Sequence, residues 1–367
     1  MESVILKAGR DRPADALLRD QLRERRMSRR DARFVSAGVF AYYRWREWLN
    51  KEVPAAKQIR QALELAERYD REPAQFSEEE LLSRSVPPWL AQEMEVTAGF
   101  VRAIQKPAVL WLRARSGQGP KVAAALGNTE PAGQGWLADC LRYNGNQDLF
   151  CSPEFHQGQF ELQDISSQAV GWVCSPGPGQ TWWDACAGEG GKTLHLSSLM
   201  KNQGTIWASD RAEWRLKKLK RRAARAGVFN YRMVSWDGGA KLPTKTRFDG
   251  VLVDAPCSGV GTWGRNPHSR WNITPEDIAE MSQIQSNLLR HVAPALKLEG
   301  RLVYAVCTLT QRETDDVADA FEREYPDFLA CNIEHPYHRG VTARRLRLQP
   351  EDKGGNGMFI AVWKRVT

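Results

Sequence analysis

Apolar residues recur at helical spacing in the first part of the chain, within residues 12–50 and again over residues 57–71. Leu18 and Leu22 illustrate the spacing, because residues four positions apart lie on the same face of a helix. Ser28, with an aspartate three residues later, has the sequence of an N-terminal cap. The pattern predicts two helices before residue 50 and a third that ends near residue 71.

The pattern changes from residue 85. A Val-Pro-Pro-Trp break precedes AVLWLRAR at residues 108–115, which has the length and apolar content of a strand. Short apolar runs continue to about residue 159. We predict a helical region over residues 1–75 and a small α+β segment over residues 76–160.

Strand-like and helical patterns alternate in the rest of the chain, from residue 161 to residue 367. The strand-like runs are TWWDAC, TIWASD, YRMVSWD, FDGVLVDAP, GRLVYAVC and MFIAVWK. Strands that alternate with helices form mostly parallel sheets covered by helices on both faces. The sequence therefore predicts an α/β fold for residues 161–367.

Composition excludes several classes of protein. Of the 367 residues, 42% are hydrophobic and 26% are charged, as in an ordinary globular protein and unlike a disordered chain. The chain has no run of about 18 apolar residues, and its first residues lack the apolar core of a signal peptide. The seven cysteines and six histidines show no disulfide or metal spacing. We expect a cytoplasmic protein with free thiols, no membrane segment and no metal.

A glycine-rich turn, DACAGEGGKT at residues 184–193, follows the first of the later strands. Such a turn lets a ligand approach the backbone at the N-terminus of a helix. A phosphate-binding loop of the G-x-x-x-x-G-K-[ST] type is excluded, because Cys186 stands where the first glycine belongs. The match to a dinucleotide fingerprint is weak, because Thr193 occupies the third glycine position.

Three carboxylates, Asp210, Asp237 and Asp254, end the next three strands. The carboxyl ends of neighbouring parallel strands border one crevice. A single aspartate in this place can simply cap the following helix. Three of them beside a glycine turn favour a ligand with a ribose, an amine and a cationic centre, and S-adenosylmethionine has all three.

Cys257 and Cys307 follow the fourth and fifth of these strands. Position alone leaves two interpretations open, an inert thiol in the core or a reactive thiol at the crevice. Beside a methyl donor a reactive thiol has a specific use, because a thiolate that adds to C6 of cytosine lets C5 accept a methyl group. Asp254 is placed to face the pyrimidine N3.

These segments resemble a known family. DACAGEGGKT, ASD, SWD, DAPCSGVGTWGRNP and YAVCTLT are similar, in order and spacing, to motifs of the Sun-type RNA cytosine-5 methyltransferases, which include the bacterial 16S rRNA enzyme and its eukaryotic relatives. The resemblance covers residues 151–367. It implies a class I, Rossmann-like methyltransferase domain with a mostly parallel, seven-stranded sheet. The first half of the chain is loosely similar to the NusB-like helical and RNA-binding regions of bacterial members.

The resemblance also implies roles for individual residues. It makes Cys307 the nucleophile and Cys257 the group that promotes product release, with Asp254 beside the base. It assigns the binding of S-adenosylmethionine to Cys186, Ala187, Gly188, Glu189, Gly190, Gly191, Lys192, Asp210, Asp237 and Asp254.

Two departures from the family pattern are visible. Glu189 stands where the family usually has proline, so we expect its carboxylate either to turn toward solvent or to weaken cofactor binding. Val306 and Thr308 replace a threonine and a serine beside the nucleophile. Neither departure removes a reactive group.

Basic and planar side chains indicate where RNA binds. Residues 211–225 hold eight Lys or Arg and one Glu, against a net charge of +8 for the whole chain. They form either a solvated helix face or a surface for phosphate contacts. Further basic candidates are the arginines of residues 23–30 and Arg339, Arg344, Arg345 and Arg347. Candidates to stack on an extruded base are Trp263, Arg265, His268 and Arg270.

We therefore predict an S-adenosylmethionine-dependent methyltransferase that forms 5-methylcytosine in structured RNA and acts as a monomer. Ribosomal RNA is favoured over tRNA. One alternative is a non-catalytic RNA-binding or assembly protein on a decayed methyltransferase fold, which Glu189 suggests and the two cysteines oppose. The other is a methyltransferase that acts on an exocyclic amine or a protein side chain and needs no thiol.

Overall fold

The computed structural model describes residues 1–367, and the chain begins with six helices. They are Glu2–Lys7 (α1), Ala14–Glu24 (α2), Arg29–Arg44 (α3), Ala55–Arg71 (α4), Glu78–Arg84 (α5) and Ala98–Ile104 (α6). The apolar spacing predicts α2, α3 and α4, and Ser28 caps α3 by accepting a hydrogen bond from the Asp31 amide at 3.2 Å. α1 is not predicted, because a six-residue helix is too short to show a period.

A four-stranded antiparallel sheet follows. Its strands are Leu110–Ala114 (β1), Thr129–Pro131 (β2), Cys140–Tyr143 (β3) and Phe160–Leu162 (β4), in the order β2-β3-β1-β4. Two short helices belong to the same segment, Gly119–Leu126 (α7) and Pro153–His156 (α8). β1 is buried on both faces, because Leu112 packs against α7 while Trp111 packs against Ile165 of the next helix.

The rest of the chain contributes ten strands. They are Thr181–Asp184 (β5), Thr205–Asp210 (β6), Tyr231–Ser235 (β7), Phe248–Asp254 (β8), Leu296–Val306 (β9), Phe328–Ala330 (β10), Ile333–Glu334 (β11), Thr342–Ala343 (β12), Arg345–Leu348 (β13) and Met358–Arg365 (β14). β11 and β12 pair with each other, and the other eight form one sheet. All six strand-like runs of the sequence are strands of this sheet.

The large sheet has the order β10-β14-β9-β8-β5-β6-β7, with β13 also paired to β14. Strands β5 to β9 are parallel to one another, and β14 is antiparallel to β9. The outer side of β14 is shared, because β13 pairs with its first half and β10 with its end. The family resemblance implies a seven-stranded sheet. The large sheet has seven strand positions, because β10 and β13 together fill the position beside β14.

Helices cover both faces of this sheet. They are Ile165–Cys174 (α9), Gly191–Leu199 (α10), Glu213–Ala226 (α11), Pro275–Val292 (α12), Asp315–Glu324 (α13) and the short Pro350–Lys353 (α14). Successive residues of β8 point to opposite faces. Leu252 packs with α9 and α10, whereas Val251 and Val253 pack with α12 and α13. No helix in the chain combines the length and the apolar character needed to cross a membrane.

The initial helices pack directly on the α/β unit. Trp45, Phe76 and Phe100 share a buried cluster with Trp263 and Leu309, which belong to loops of the large sheet. Helices continue past residue 75 as far as α6. The division of the chain into domains at residues 75 and 160 stays a prediction.

Candidate active site

A cavity of about 940 Å³ lies at the carboxyl ends of the parallel strands. The strand order reverses at β5, which has β6 on one side and β8 on the other, and open α/β sheets bind ligands at such a point. Every residue predicted to bind the cofactor or to react lines this cavity, except Gly190. Gly190 faces α11, where an added Cβ would lie 2.5 Å from the Leu219 side chain.

Asp210 fixes the glycine turn between β5 and α10. Its Oδ2 accepts a hydrogen bond from the Gly188 amide at 2.9 Å, and its Oδ1 accepts one from the Ala212 amide at 2.8 Å. Gly188 has a φ of +54°, which glycine adopts without strain. Since a carboxylate has about four lone-pair positions, Asp210 can hold the turn and still accept a ligand hydroxyl.

Lys192 and Asp254 form an ion pair on the cavity wall, with 2.6 Å between Nζ and Oδ2. Burial acts to lower the pKa of Lys192, but the charge of Asp254 and the hydrogen bond to it raise that pKa above its ordinary value. Lys192 therefore stays charged and places a fixed positive charge in the cavity wall.

Glu189 is held by α11. Its Oε1 accepts a hydrogen bond from Lys218 Nζ at 2.6 Å, and both side chains are about two-fifths exposed, at 40% and 42%. The carboxylate that replaces the family's proline is thus paired with a lysine of the neighbouring helix. This pairing removes much of the repulsion that an unpaired Glu189 would exert on an anionic group in the cavity.

The two candidate thiols are neighbours. β8 and β9 pair in parallel, so the loops that follow them lie side by side, and the sulfurs of Cys257 and Cys307 are 3.3 Å apart. The hydrogen bond to Cys307 and burial raise the pKa of Cys257 well above its ordinary value. Cys257 therefore stays protonated at neutral pH, so its thiol can donate a hydrogen bond to the Cys307 sulfur.

Asp184, at the end of β5, is a buried carboxylate that the sequence did not single out. Its Oδ2 accepts a hydrogen bond from Thr193 Oγ1 at 2.6 Å, and its Oδ1 has no partner. Burial raises the pKa of Asp184 to about 7. Nothing in the sequence shows that this strand end is closed off from solvent.

The sequence analysis also does not predict the apolar wall of the cavity. It is formed by Trp236, Ile284 and Leu288. Trp236 directly precedes Asp237, one of the aspartates predicted to border the crevice, so its position in the sequence indicates that it lies near the cavity. Ile284 and Leu288 belong to α12 and reach the cavity only through the packing of that helix on the sheet.

Three of the four candidates for base stacking in the loop after Cys257 are buried, contrary to the sequence-based expectation. Trp263 and Arg270 are fully buried and His268 is nearly so. Arg270 donates to two backbone carbonyls of the helical region, at 2.7 and 3.0 Å. These side chains attach the loop to the helices, and of the four candidates only Arg265 lines the cavity.

Many of the basic candidates are already paired. On α11, Arg222 and Arg225 both pair with Glu161 of β4, and Lys218 pairs with Glu189. Acidic side chains of α13 pair with Arg344, Arg345 and Arg347. The basic run of residues 211–225 is therefore partly a structural contact and not only a free cationic face.

Comparison with known proteins identifies the family. The family model for the 16S rRNA methyltransferase RsmB/F matches residues 172–364, more than half of the chain. A probable ribosomal RNA small subunit methyltransferase B of Synechocystis sp. is 37% identical over 239 residues, which are 62% of this chain and 53% of that protein. A 28S rRNA (cytosine(4447)-C(5))-methyltransferase of Homo sapiens is 29% identical over 254 residues, 65% of this chain and 31% of that protein. The chain thus spans about half the length, or less, of these relatives.

A solved structure shares the fold. A methyltransferase homologue from Pyrococcus horikoshii has 26% sequence identity and a TM-score of 0.63, and the match covers 73% of this chain and 90% of that one. The family model and the fold agree with the resemblance that the motifs carry. The chain belongs to the 16S rRNA methyltransferase RsmB/F family.

Proposed function

We propose that this protein transfers a methyl group from S-adenosylmethionine to C5 of cytosine in RNA. The observation that carries the proposal is the pair of thiols, 3.3 Å apart, in the wall of the cavity that the carboxylates of Asp210, Asp237 and Asp254 also line. A methyltransferase that acts on an amine has no use for such a pair. The names of the relatives support the reaction and the substrate class.

The cavity fits S-adenosylmethionine. Its volume of about 940 Å³ is within the range of small-molecule sites. Asp210 and Asp237 offer carboxylates to hydroxyl and amino groups, and Trp236, Ile284 and Leu288 offer apolar surface to a purine ring. The glycine turn lets the backbone approach the rest of the molecule. When bound, S-adenosylmethionine supplies an electrophilic methyl group.

The residues of the chain supply the other steps. The Cys307 thiolate bonds to C6 of the pyrimidine, and the electron pair of the C5–C6 double bond makes C5 the nucleophile that accepts the methyl group. N3 takes up a proton from water as the ring gains charge, and the Asp254 carboxylate accepts a hydrogen bond from it. After methyl transfer water removes the C5 proton, the C5–C6 double bond re-forms, the Cys307 sulfur leaves as a thiolate and N3 returns its proton to water. Cys257 promotes this release by donating a hydrogen bond from its thiol to the departing sulfur.

Ribosomal RNA is the proposed substrate, and tRNA is the second candidate. Support for ribosomal RNA comes from the relatives, whose names specify small-subunit and 28S rRNA. We assign phosphate contacts to those basic candidates that are exposed and have no ion pair. They are Arg25, Arg26 and Arg30 near the start of the chain, Arg211, Lys220 and Arg221 in the basic run of residues 211–225, and Arg339. On this proposal, residues 1–160 hold RNA beside a methyltransferase domain of residues 161–367.

The test is the identity of the methylated nucleoside. Purified protein is incubated with methyl-labelled S-adenosylmethionine and, separately, with unmodified ribosomal RNA and tRNA, and the digested nucleosides are identified by mass spectrometry. We expect 5-methylcytidine, chiefly from ribosomal RNA, and none with Cys307→Ala. Cys151→Ala is the matched control, because that thiol is exposed and does not line the cavity.

Two outcomes would contradict the proposal. Methylation that survives Cys307→Ser, or a product methylated on an exocyclic amine, would favour a methyltransferase that needs no thiol. RNA binding without any methylated nucleoside would favour the non-catalytic alternative.

A further inference from the structure

A buried carboxylate lies behind the two cysteine loops. The side chain of Glu313 is completely buried and accepts five hydrogen bonds. The donors are the Ser258 amide at 2.8 Å, Gln285 Nε2 at 3.0 Å, Thr310 Oγ1 at 2.9 Å, Thr308 Oγ1 at 3.2 Å and the Ser258 hydroxyl. None of the donors carries a charge. A buried carboxylate is costly without such partners, so this arrangement depends on all of them.

The five donors come from three separate elements. Ser258 directly follows Cys257, and Thr308 directly follows Cys307. Gln285 belongs to α12 and also donates to the Pro256 carbonyl at 2.9 Å. One carboxylate thus connects the residue after each thiol to a helix that supports both loops.

The backbone of Glu313 is fixed as well. The single hydroxyl proton of Tyr304, on β9, is shared between the Glu313 carbonyl at 2.7 Å and Gln285 Oε1 at 3.0 Å. The carboxylate is therefore anchored to the same strand that carries Cys307. This leaves the Glu313 side chain little freedom to follow a displaced loop.

We propose that Glu313 is a positioning residue that sets the spacing of the Cys257 and Cys307 sulfurs. It acts through Ser258 and Thr308, and it does not line the cavity. The catalytic consequence rests on the proposed function, whereas the effect on thiol spacing does not. Thr308, one of the two departures beside the nucleophile, takes part by bonding to Glu313.

Thiol spacing can be measured without RNA or cofactor. Phenylarsine oxide binds two adjacent thiols, forming two S–As bonds and releasing one water, and it binds a single thiol only weakly. Binding to the intact protein is measured by titration, with Cys257→Ala as the background for all other thiols. Glu324→Ala, on the exposed face of α13, is the matched control.

Two substitutions, Glu313→Gln and Glu313→Asp, test whether the thiol spacing depends on the length of the Glu313 side chain. The first keeps that length and the second shortens it. A glutamine fills the same space, and the hydroxyls of Ser258 and Thr308 can rotate to accept its amide protons, so we expect wild-type affinity for the arsenical. An aspartate is one methylene shorter and cannot reach both loops. We expect its affinity for the arsenical to fall about tenfold, as when a residue that orients ligand groups is removed.

Methyl transfer provides a second readout. With Glu313→Asp we expect kcat to fall about 100-fold, the effect of misplacing reacting groups by about 1 Å, with an unchanged KM for S-adenosylmethionine. Glu313→Gln should restore kcat. If wild-type protein methylates no RNA, the proposed function fails, and the arsenical titration still decides the role of Glu313.

Three results would overturn the proposal. The first is a folded Glu313→Asp that binds the arsenical as tightly as wild type. The second is a Glu313→Gln that loses as much affinity as Glu313→Asp. The third is failure of Glu313→Asp to fold, which would make Glu313 a determinant of the fold and not of the thiol spacing.

Discussion

At the residue scale, the protonation states of the site are set by contacts between residues far apart in the chain. Lys192, on α10, is held charged by Asp254 at the end of β8. Cys257 is held protonated by burial and by its bond to Cys307. The site therefore offers a fixed cation and a neutral thiol beside the second sulfur.

Asp184 makes stability depend on pH. Its pKa is raised by burial from the ordinary 3.8 to about 7. Between those values the folded protein keeps a proton that the unfolded chain has lost. Stability therefore falls as the pH rises through this window, by at most about 1.4 kcal/mol per pH unit. We expect Asp184→Asn to remove this slope in urea unfolding followed from pH 4 to pH 8.

Asp249→Asn is the control for this experiment. The ion pair with Lys297 and a backbone hydrogen bond lower the pKa of Asp249 despite partial burial. The effect of Asp249 on the pH dependence of stability therefore has the opposite sign. Its contribution to the free energy of unfolding is lost only as the pH falls below 4. Identical pH slopes for wild type and Asp184→Asn would show that Asp184 is ionised in the folded protein at pH 6.

The sequence predicts well which residues line the cavity and predicts poorly the contacts that surround them. Asp210, Asp254 and the two cysteines stand at strand ends within recognisable motifs, so their meeting at one crevice could be expected. Glu313 lies in no strand-end position, and its five donors come from three elements. Such contacts arise from side-chain packing across the fold, for which a single sequence carries no periodic signal.

At the element scale, α11 joins the two sheets. Arg222 and Arg225 reach from α11 to Glu161 of β4, whose side chain is only 6% exposed. Arg222 also donates to the Glu189 carbonyl at 3.0 Å. The helix therefore connects the small sheet to the glycine turn of the cofactor cavity.

Replacing both arginines by methionine tests this connection. Arg222→Met with Arg225→Met leaves a buried carboxylate without its partners, and we expect a loss of about 3 kcal/mol in the free energy of unfolding, measured in urea. Lys220→Met with Arg221→Met removes the same charge from an exposed face and should change stability by less than about 0.5 kcal/mol. Equal losses in the two double variants would contradict the assignment of α11 as a connection.

Strands β5, β8, β9 and β14 could be predicted because each contains a continuous apolar run that is buried on both faces. The role of α11 as a connection between the two sheets could not be predicted from the sequence. A cationic run of this kind looks the same in sequence whether it faces solvent, phosphate or a buried acid. Its acidic partner, Glu161, lies some sixty positions earlier and belongs to another sheet.

At the scale of the whole molecule, the initial helices and the α/β unit share buried contacts. Arg270 is completely buried and donates to the carbonyls of Ser85 and Ile104 and to Gln105 Oε1 at 2.8 Å. Trp263 packs among the aromatic residues of the helices. We therefore expect both parts to unfold in one transition.

Arg270→Leu tests this coupling, because it leaves buried carbonyls unpaired. We expect a loss of about 3 kcal/mol and a parallel loss of hydrogen-exchange protection in α6 and in α12. Arg339→Leu, at an exposed position, should change neither the free energy of unfolding nor the hydrogen-exchange protection of the two helices. Loss of protection confined to α6 would show that the helices open on their own.

The covalent role of the thiols is the central claim, and a trapping experiment tests it most directly. Cys257→Ala is incubated with S-adenosylmethionine and ribosomal RNA, then denatured and separated on a gel. We expect a denaturation-resistant adduct of protein and RNA, because Cys307 still bonds to C6 while the proton that promotes its release is missing. The adduct should be absent when Cys307→Ala is added to Cys257→Ala. An adduct in that double variant, or no adduct from Cys257→Ala with RNA that the wild type methylates, would contradict the account.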